Sequence, residues 1–121
     1  MYFYLQGTKT TPQTLMNDGY WRISGNAFPV EKKNFFNEFN KQVDIYLKKP
    51  AIKTIVEISL SYVNAEAKRS IIEFFNQLEI LNNQGFKVDV KWWYEKDDED
   101  VKELGEIYKS MFTFEIDLIS K

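Results

Sequence analysis

The sequence contains neither cysteine nor histidine among its 121 residues. Without thiols or imidazoles the chain can form no disulfide, no cysteine or histidine nucleophile and no ordinary zinc site. We therefore expect no metal site and no cofactor, and catalysis would have to rest on carboxylates, lysines, tyrosines or hydroxyls. Because no convergent pair of such groups is evident in the sequence, an enzyme is the least favoured class of function.

Long apolar runs and an excess of positive charge are also missing. No stretch approaches the ~20 apolar residues of a membrane span, and residues 1–7 lack the basic start and apolar core of a signal peptide. The net charge is −2, from 16 Lys and Arg against 18 Asp and Glu. This balance gives no electrostatic reason to expect nucleic acid or an anionic membrane as a partner. The sequence therefore predicts a cytoplasmic protein that binds neither.

The chain is rich in aromatic side chains, which make up 17% of its residues within a hydrophobic share of 44%. This share suits a globular core, and a chain of this length corresponds to about one domain of ~150 residues. We therefore expect a single domain over residues 1–121.

Hydrophobic periodicity predicts alternating strands and helices. Strands are predicted over residues 2–5, 20–24, 53–62, 87–94 and 112–118, and residues 7–19 are interpreted as a polar loop rich in turns. Helices are predicted between Pro29 and Pro50, from Asn64 to about Gln84, and after Asp97–Asp100. The predicted fold class is α/β, in the order β-β-α-β-α-β-α-β. The mixed, mostly parallel sheet has about five strands, its first two form an antiparallel pair, and three helices lie mainly on one face.

Two features have a structural and a functional interpretation. The acidic run Asp97–Asp100 could bind a cation, but it lacks the alternating oxygens and the glycine of a calcium loop. We therefore favour a structural role at a helix start. Trp93 is out of phase with Val90, Trp92 and Tyr94, so it is either an exposed anchor for a partner or part of a covered second face of the sheet.

Several short motifs share their order and spacing with one known family. They are Gly7-Thr8 with Thr11-Pro12, Ile23-Ser24-Gly25 with Phe28-Pro29, and Trp92, Tyr94, Glu95, Asp97–Asp100, Gly105, Glu106 and Tyr108. Over nearly the whole chain they resemble the SiaC-like bacterial regulatory phosphoproteins. The resemblance implies a fold like the STAS domain of anti-sigma-factor antagonists.

The same resemblance implies a regulatory site at the start of the second long helix. In that family the motif is Y-x-N-T-S-S; a dedicated kinase phosphorylates its Thr and a phosphatase removes the phosphate. In members of known role, the unphosphorylated protein binds and activates a diguanylate cyclase. Here the segment reads Tyr62-Val63-Asn64-Ala65-Glu66-Ala67, so Ala65 occupies the phosphoacceptor position, and Arg69 stands where a lysine is usual. The segment Phe28-Pro29-Val30-Glu31 also departs from the usual P-E-N.

Ala65 has no hydroxyl, so we expect phosphorylation switching at this position to be lost. Glu66 is either a displaced mimic of the phosphate or an acidic residue that stabilises the first turn of the helix by ~0.3–1 kcal/mol. Asn64 is predicted to be the N-cap and could also contact a partner. The predicted partner-binding residues are Tyr62, Asn64, Glu66 and Arg69.

These observations favour a non-enzymatic signalling module that switches between partners. By resemblance, its partners are a kinase, a phosphatase or a diguanylate cyclase. The alternative is a small-ligand or nucleotide sensor, because α/β sheets often bind ligands beyond the carboxyl ends of their strands. No glycine-rich phosphate loop supports that alternative.

Overall fold

The computed structural model describes residues 2–28 and 32–121, and of residues 32–34 only the backbone. The predicted turn at Pro29, and the sequence departure over Pro29–Glu31, lie outside the described residues. The elements are β1 (Tyr2–Leu5), β2 (Gln13–Asn17), β3 (Tyr20–Ala27), α1 (Lys32–Lys48), β4 (Lys53–Val63), α2 (Ala65–Asn83), β5 (Lys87–Tyr94), α3 (Glu99–Met111) and β6 (Glu115–Ser120).

The strands form one sheet in sequence order. β1 and β3 flank β2 in antiparallel pairs, and β3 to β6 are parallel neighbours. Parallel neighbours require crossover connections, and α1, α2 and α3 supply them. The α/β class and the mostly parallel sheet are confirmed.

The predicted strand count and the first pairing are wrong. Within the described ranges the sheet has six strands, because β2 lies inside the segment that we interpreted as a loop. Thr14 and Met16 of β2 point into the core and are 0% exposed, but the sequence does not alternate visibly because the buried Thr14 is polar and the outward Leu15 is apolar. β2 therefore separates β1 from β3, which do not pair with each other.

A turn signal could have revealed β2. Asp18-Gly19 joins β2 to β3, Asn17 pairs with Tyr20 across this turn, and Gly19 has a φ of 85°. Asp-Gly between two short alternating segments is a strong indication of a β-hairpin. The sequence contained this signal, and our prediction did not use it.

Two predicted boundaries also shift. β3 continues through Gly25, which has a φ of 118°, and ends at Ala27 rather than at Ser24. β6 begins at Glu115, later than the predicted start at Phe112. The ring of Phe112 instead packs edge-on against Phe75 of α2, so the apolar alternation after α3 begins before the strand does.

The hydrophobic core lies between one face of the sheet and the helices. Strand residues of that face, including Trp21, Val56, Val90 and Ile116, are almost fully buried. The helices contribute the predicted apolar stripes, among them Phe39 of α1, Phe74 and Leu78 of α2, and Val101 and Tyr108 of α3. The opposite face of the sheet is polar and half-exposed, in agreement with the predicted placement of the helices.

Candidate functional site at the start of α2

The chain enters α2 through an irregular end of β4. Asn26 of β3 pairs with Ser61, but the next residue, Ala27, pairs with Val63, so Tyr62 is the extra residue of a β-bulge. Tyr62 has a φ of 52°, which bulky side chains rarely adopt outside turns and strained sites. Its side chain is 74% exposed. The bulge therefore projects a large aromatic side chain into solvent directly before α2.

Phe28 is the aromatic neighbour of Tyr62. The two rings meet edge-to-face, with their centroids 6.2 Å apart. Immediately after the bulge, the backbone N–H of Asn64 donates to the carbonyl of Ala27 at 3.0 Å. The end of β3 thus supports the exposed tyrosine from one side.

Asn64 is the N-cap of α2, as predicted. Its backbone is extended, at φ −82° and ψ 176°, and its side-chain oxygen accepts from the N–H of Ala67 at 2.9 Å. The carbonyl of Asn64 accepts from the N–H of Lys68. A role of Asn64 in partner recognition stays a prediction.

Ala65 is the first residue of α2 and is exposed. Glu66 follows it, and the carboxylate of Glu66 accepts a hydrogen bond from the guanidinium of Arg69 one turn further on. The two charges offset each other on the helix surface, and Glu66 is an acidic residue of the first turn. This arrangement favours the helix-stabilising interpretation of Glu66 over phosphate mimicry.

The acidic run Asp97–Asp100 has a structural role at a helix start, but α3 begins inside it, at Glu99, and not after it as predicted. Asp98 is the N-cap of α3, and its side chain accepts from the N–H of Val101 at 3.1 Å. Glu99 and Asp100 lie in the first turn, where negative charge stabilises a helix. Within residues 2–28 and 32–121, no group of three or more acidic side chains is arranged to hold a metal ion.

Gly105 and Tyr108 fix α3 against the sheet and α2. Both belong to the family motif, and the sequence did not explain their role. A Cβ added to Gly105 would lie 2.4 Å from Cδ1 of Trp92, so only glycine allows this approach of helix and strand. The hydroxyl of Tyr108 donates to the carbonyl of Lys68 in α2 at 3.0 Å. Burial raises the pKa of Tyr108, which keeps this donor protonated. Tyr108 therefore supports the first turns of α2 from behind.

Trp93 lies half-buried on the helix-free face of the sheet. Its indole N–H donates to Glu57 at 2.9 Å, and the hydroxyl of Tyr20 donates to the other carboxylate oxygen at 2.6 Å. The hydrogen bond from Tyr20 is the main cause that lowers the pKa of Glu57. No helix of the described residues covers this face, and the indole N–H of Trp93 has a partner within the chain, so Trp93 belongs to a half-buried polar surface; its role as an anchor stays a prediction.

The described residues form an α/β domain with a capped and exposed helix start, and a family match defines its class as that of regulatory phosphoproteins. A model of the SiaC family of regulatory phosphoproteins matches residues 5–121. The chain belongs to this family.

Known proteins of Pseudomonas aeruginosa resemble the chain over nearly its full length. An uncharacterised protein of strain UCBPP-PA14 is 23% identical over 113 residues, which cover 92% of this chain and 90% of that protein. The solved structure of SiaC superposes with a TM-score of 0.90 at 19% identity and covers 100% of this chain and 99% of its own. A chain in the crystal structure of diguanylate cyclase SiaD in complex with its activator SiaC gives a TM-score of 0.90 at 20% identity, with 98% and 99% covered.

The family match agrees with the expectation of a regulatory module rather than an enzyme. Among the described residues, no helix combines the length and apolar character needed to cross a bilayer.

Proposed function

We propose that the protein is a non-enzymatic cytoplasmic module that binds a diguanylate cyclase through the start of α2. The family match and the SiaC–SiaD complex support this choice of partner. In this proposal, Tyr62, Asn64, Glu66 and Arg69 form the binding surface around Ala65. The resemblance also implies a kinase and a phosphatase, but both would need a hydroxyl that Ala65 does not have. The cyclase is therefore the favoured partner.

The exposed aromatic side chain at the bulge carries the proposal. Tyr62 holds a positive φ and is 74% exposed, although such a backbone conformation costs roughly 1–2 kcal/mol. Strained residues of this kind cluster at functional sites, and tyrosine is among the residues that dominate binding energy at protein interfaces. Tyr62 is therefore the anchor we expect a partner to bury.

The pair formed by Glu66 and Arg69 determines the charge of this surface. A phosphate at position 65 would add about −1.5 to −2 charges at the helix start, whereas here the single charge of Glu66 is offset by Arg69. With the exposed Lys68 beside this pair, the start of α2 carries no excess of negative charge. We infer that binding is constitutive with respect to phosphorylation at this position.

The test uses the purified diguanylate cyclases of the host and measures both binding and cyclic-di-GMP synthesis. Tyr62→Ala should weaken binding to the cognate cyclase at least tenfold, equivalent to ~1.4 kcal/mol. Tyr2→Ala is the matched control, because Tyr2 is 69% exposed but lies on the far edge strand β1. Equal binding by both variants would contradict the proposed surface.

A second pair of variants tests the charge and the acceptor position. Glu66→Arg removes the ion pair with Arg69 and should weaken binding, while the free energy of unfolding falls by no more than about 1 kcal/mol. Ala65→Thr should bind like the wild type until a family kinase and ATP are added. Loss of Ala65→Thr binding alone after kinase treatment would support the inference, whereas equal binding by treated Ala65→Thr and wild type would show that a phosphate at position 65 does not control binding.

A further inference from the structure

A groove lies beside the proposed surface, between the end of β4, the first turns of α2 and the outer side of α3. Its volume is about 460 Å³. The residues lining it are Tyr62, Val63, Lys68, Asp100, Val101, Glu103, Leu104 and Ile107. Because Tyr62 belongs both to the bulge and to the wall, the groove is continuous with the proposed partner-binding surface.

The floor of the groove is apolar. Val63 and Val101 form one end of it, and Leu104 and Ile107 continue it along α3. Ile107 is 48% exposed, and so is Met111 one turn further on. Val101 and Leu104 pack against the core, whereas Ile107 and Met111 stay about half exposed, so the outer side of α3 keeps apolar surface open to solvent. Exposed apolar surface of this kind marks sites where other molecules bind.

The wall on α3 is acidic. Asp100 and Glu103 are separated by one helical turn and therefore lie on the same side of α3. Throughout residues 2–28 and 32–121, neither carboxylate forms an ion pair or a side-chain hydrogen bond. Asp100 also has an ordinary role as a first-turn acid, but Glu103 lies beyond that turn. Lys68 is the only basic residue in the lining.

The negative charge of the groove distinguishes between a nucleotide and a basic protein segment as its occupant. Two carboxylates against one ammonium group repel the phosphates of a nucleotide, so the groove does not suit the nucleotide-sensing alternative. A segment that carries an apolar side chain for the floor and a lysine or arginine for the wall would complement both features. Complementary charge at the edge of an interface mainly increases the association rate and the specificity.

We propose that this groove binds a basic, partly apolar segment of the partner protein. The inference rests on the proposed function and extends the partner-binding surface from the start of α2 to the outer side of α3. The apolar side chain of the partner contacts Leu104 and Ile107, and its basic side chain pairs with Asp100 and Glu103. Tyr62 closes the end of the groove next to α2.

Charge reversal in the full-length protein tests the acidic wall against the cognate cyclase. Glu103→Lys should weaken binding about tenfold in 0.1 M salt, and the difference should shrink in 0.5 M salt because ions screen exposed charges. Glu106→Lys is the matched control, since Glu106 is an exposed acid of the same helix that does not line the groove. The control should change binding less than about twofold.

Photo-crosslinking identifies the occupant directly. A photoreactive phenylalanine at position 107 should crosslink to a cyclase peptide that contains lysine or arginine beside apolar residues. The photoreactive phenylalanine at position 80 is the control, because Ile80 is 61% exposed but lies outside the groove. Crosslinks only from position 80, or to an acidic peptide, would overturn the proposal.

The outcomes separate the two proposals. If wild type and Glu103→Lys bind the cyclase equally, the groove is not used, and the surface around Tyr62 remains supported by its own variants. If Tyr62→Ala and Glu103→Lys both weaken binding and their controls do not, both proposals stand. If no host cyclase binds the wild type, the proposed function fails, and the inference about the groove fails with it.

Discussion

Aromatic side chains are used in opposite ways on the covered face of the sheet and at the junction of β4 and α2. On the covered face, Trp92 and Tyr108 are almost fully buried and donate hydrogen bonds to carbonyls of the chain. At the junction, Tyr62 is mostly exposed and holds a positive φ. The first region is optimised for packing, whereas the second keeps a conformation that costs stability. The comparison shows that aromatic content alone does not distinguish the core from a binding surface.

The largest expected loss of stability comes from a substitution on the covered face of the sheet. Gly105→Ala should lower the free energy of unfolding by up to about 2 kcal/mol, because overpacking against Trp92 costs about 1–3 kcal/mol and the better helix propensity of alanine returns ~1 kcal/mol. Urea unfolding measures the difference. Glu106→Ala, on the exposed side of the same helix, is the control and should stay within about 0.5 kcal/mol.

A second substitution tests whether the contact between Gly105 and Trp92 causes this loss of stability. A Trp92→Val background lacks the δ and ε atoms that lie nearest the added Cβ, so Gly105→Ala should cost less there than in the wild type, with only the crowding against Leu118 remaining. A stabilising Gly105→Ala, as expected for an ordinary exposed glycine in a helix, would show that α3 does not approach the sheet as closely as described.

An intermediate effect is expected at the helix cap of the junction. Asn64→Ala should lower the free energy of unfolding by about 1 kcal/mol, since the N–H of Ala67 loses its acceptor. Asn76→Ala makes the same substitution at an exposed position inside α2 and should be neutral or slightly stabilising. Equal losses for both variants would argue that Asn64 does not cap the helix.

The smallest expected change in stability is at Tyr62, where a substitution should raise the free energy of unfolding or leave it unchanged. Tyr62→Gly removes the strain of the positive φ, roughly 1–2 kcal/mol, but glycine has greater freedom in the unfolded chain, which costs about 0.5–1 kcal/mol. We expect an unchanged or higher free energy of unfolding, by up to about 1 kcal/mol, together with weaker binding of the cyclase. A rise in the thermal midpoint with loss of binding would mark Tyr62 as a residue kept for function.

Tyr2→Gly provides the comparison for this variant. Tyr2 is similarly exposed but lies in the regular strand β1, where glycine weakens a strand. This control should lose stability, whereas Tyr62→Gly should not. A clear loss in both variants would mean that the backbone of Tyr62 is not strained.

Much of the fold could be predicted because local patterns and tertiary packing agree. The stripe Ile71, Phe74 and Leu78 has helical spacing, and the same residues are buried in α2. Asn64 and Gly85 mark the two ends of that helix by general rules of helix capping. β2 was missed because its buried Thr14 is polar and its outward Leu15 is apolar, so the strand shows no clear alternation in the sequence.

The candidate site was located by motif resemblance, but its geometry was not predictable from the sequence. The motif identified Ala65 as the position without an acceptor hydroxyl, and the cap at Asn64 followed from its residue type. The bulge at Tyr62 depends on the register between β3 and β4, which no local pattern specifies. The contact of Gly105 with Trp92 likewise joins residues thirteen positions apart on different elements.

The sequence by itself determined the class of fold, the starts and faces of the helices, and the absence of a hydroxyl at position 65. These depend on side-chain type and spacing along one segment, which are present before the chain folds. The tertiary structure alone decided that Tyr62 projects from a bulge, where the sheet register slips, and how Asp100 and Glu103 come to lie beside an apolar floor. Those features arise from contacts between distant segments, so they exist only once helices and sheet have packed together.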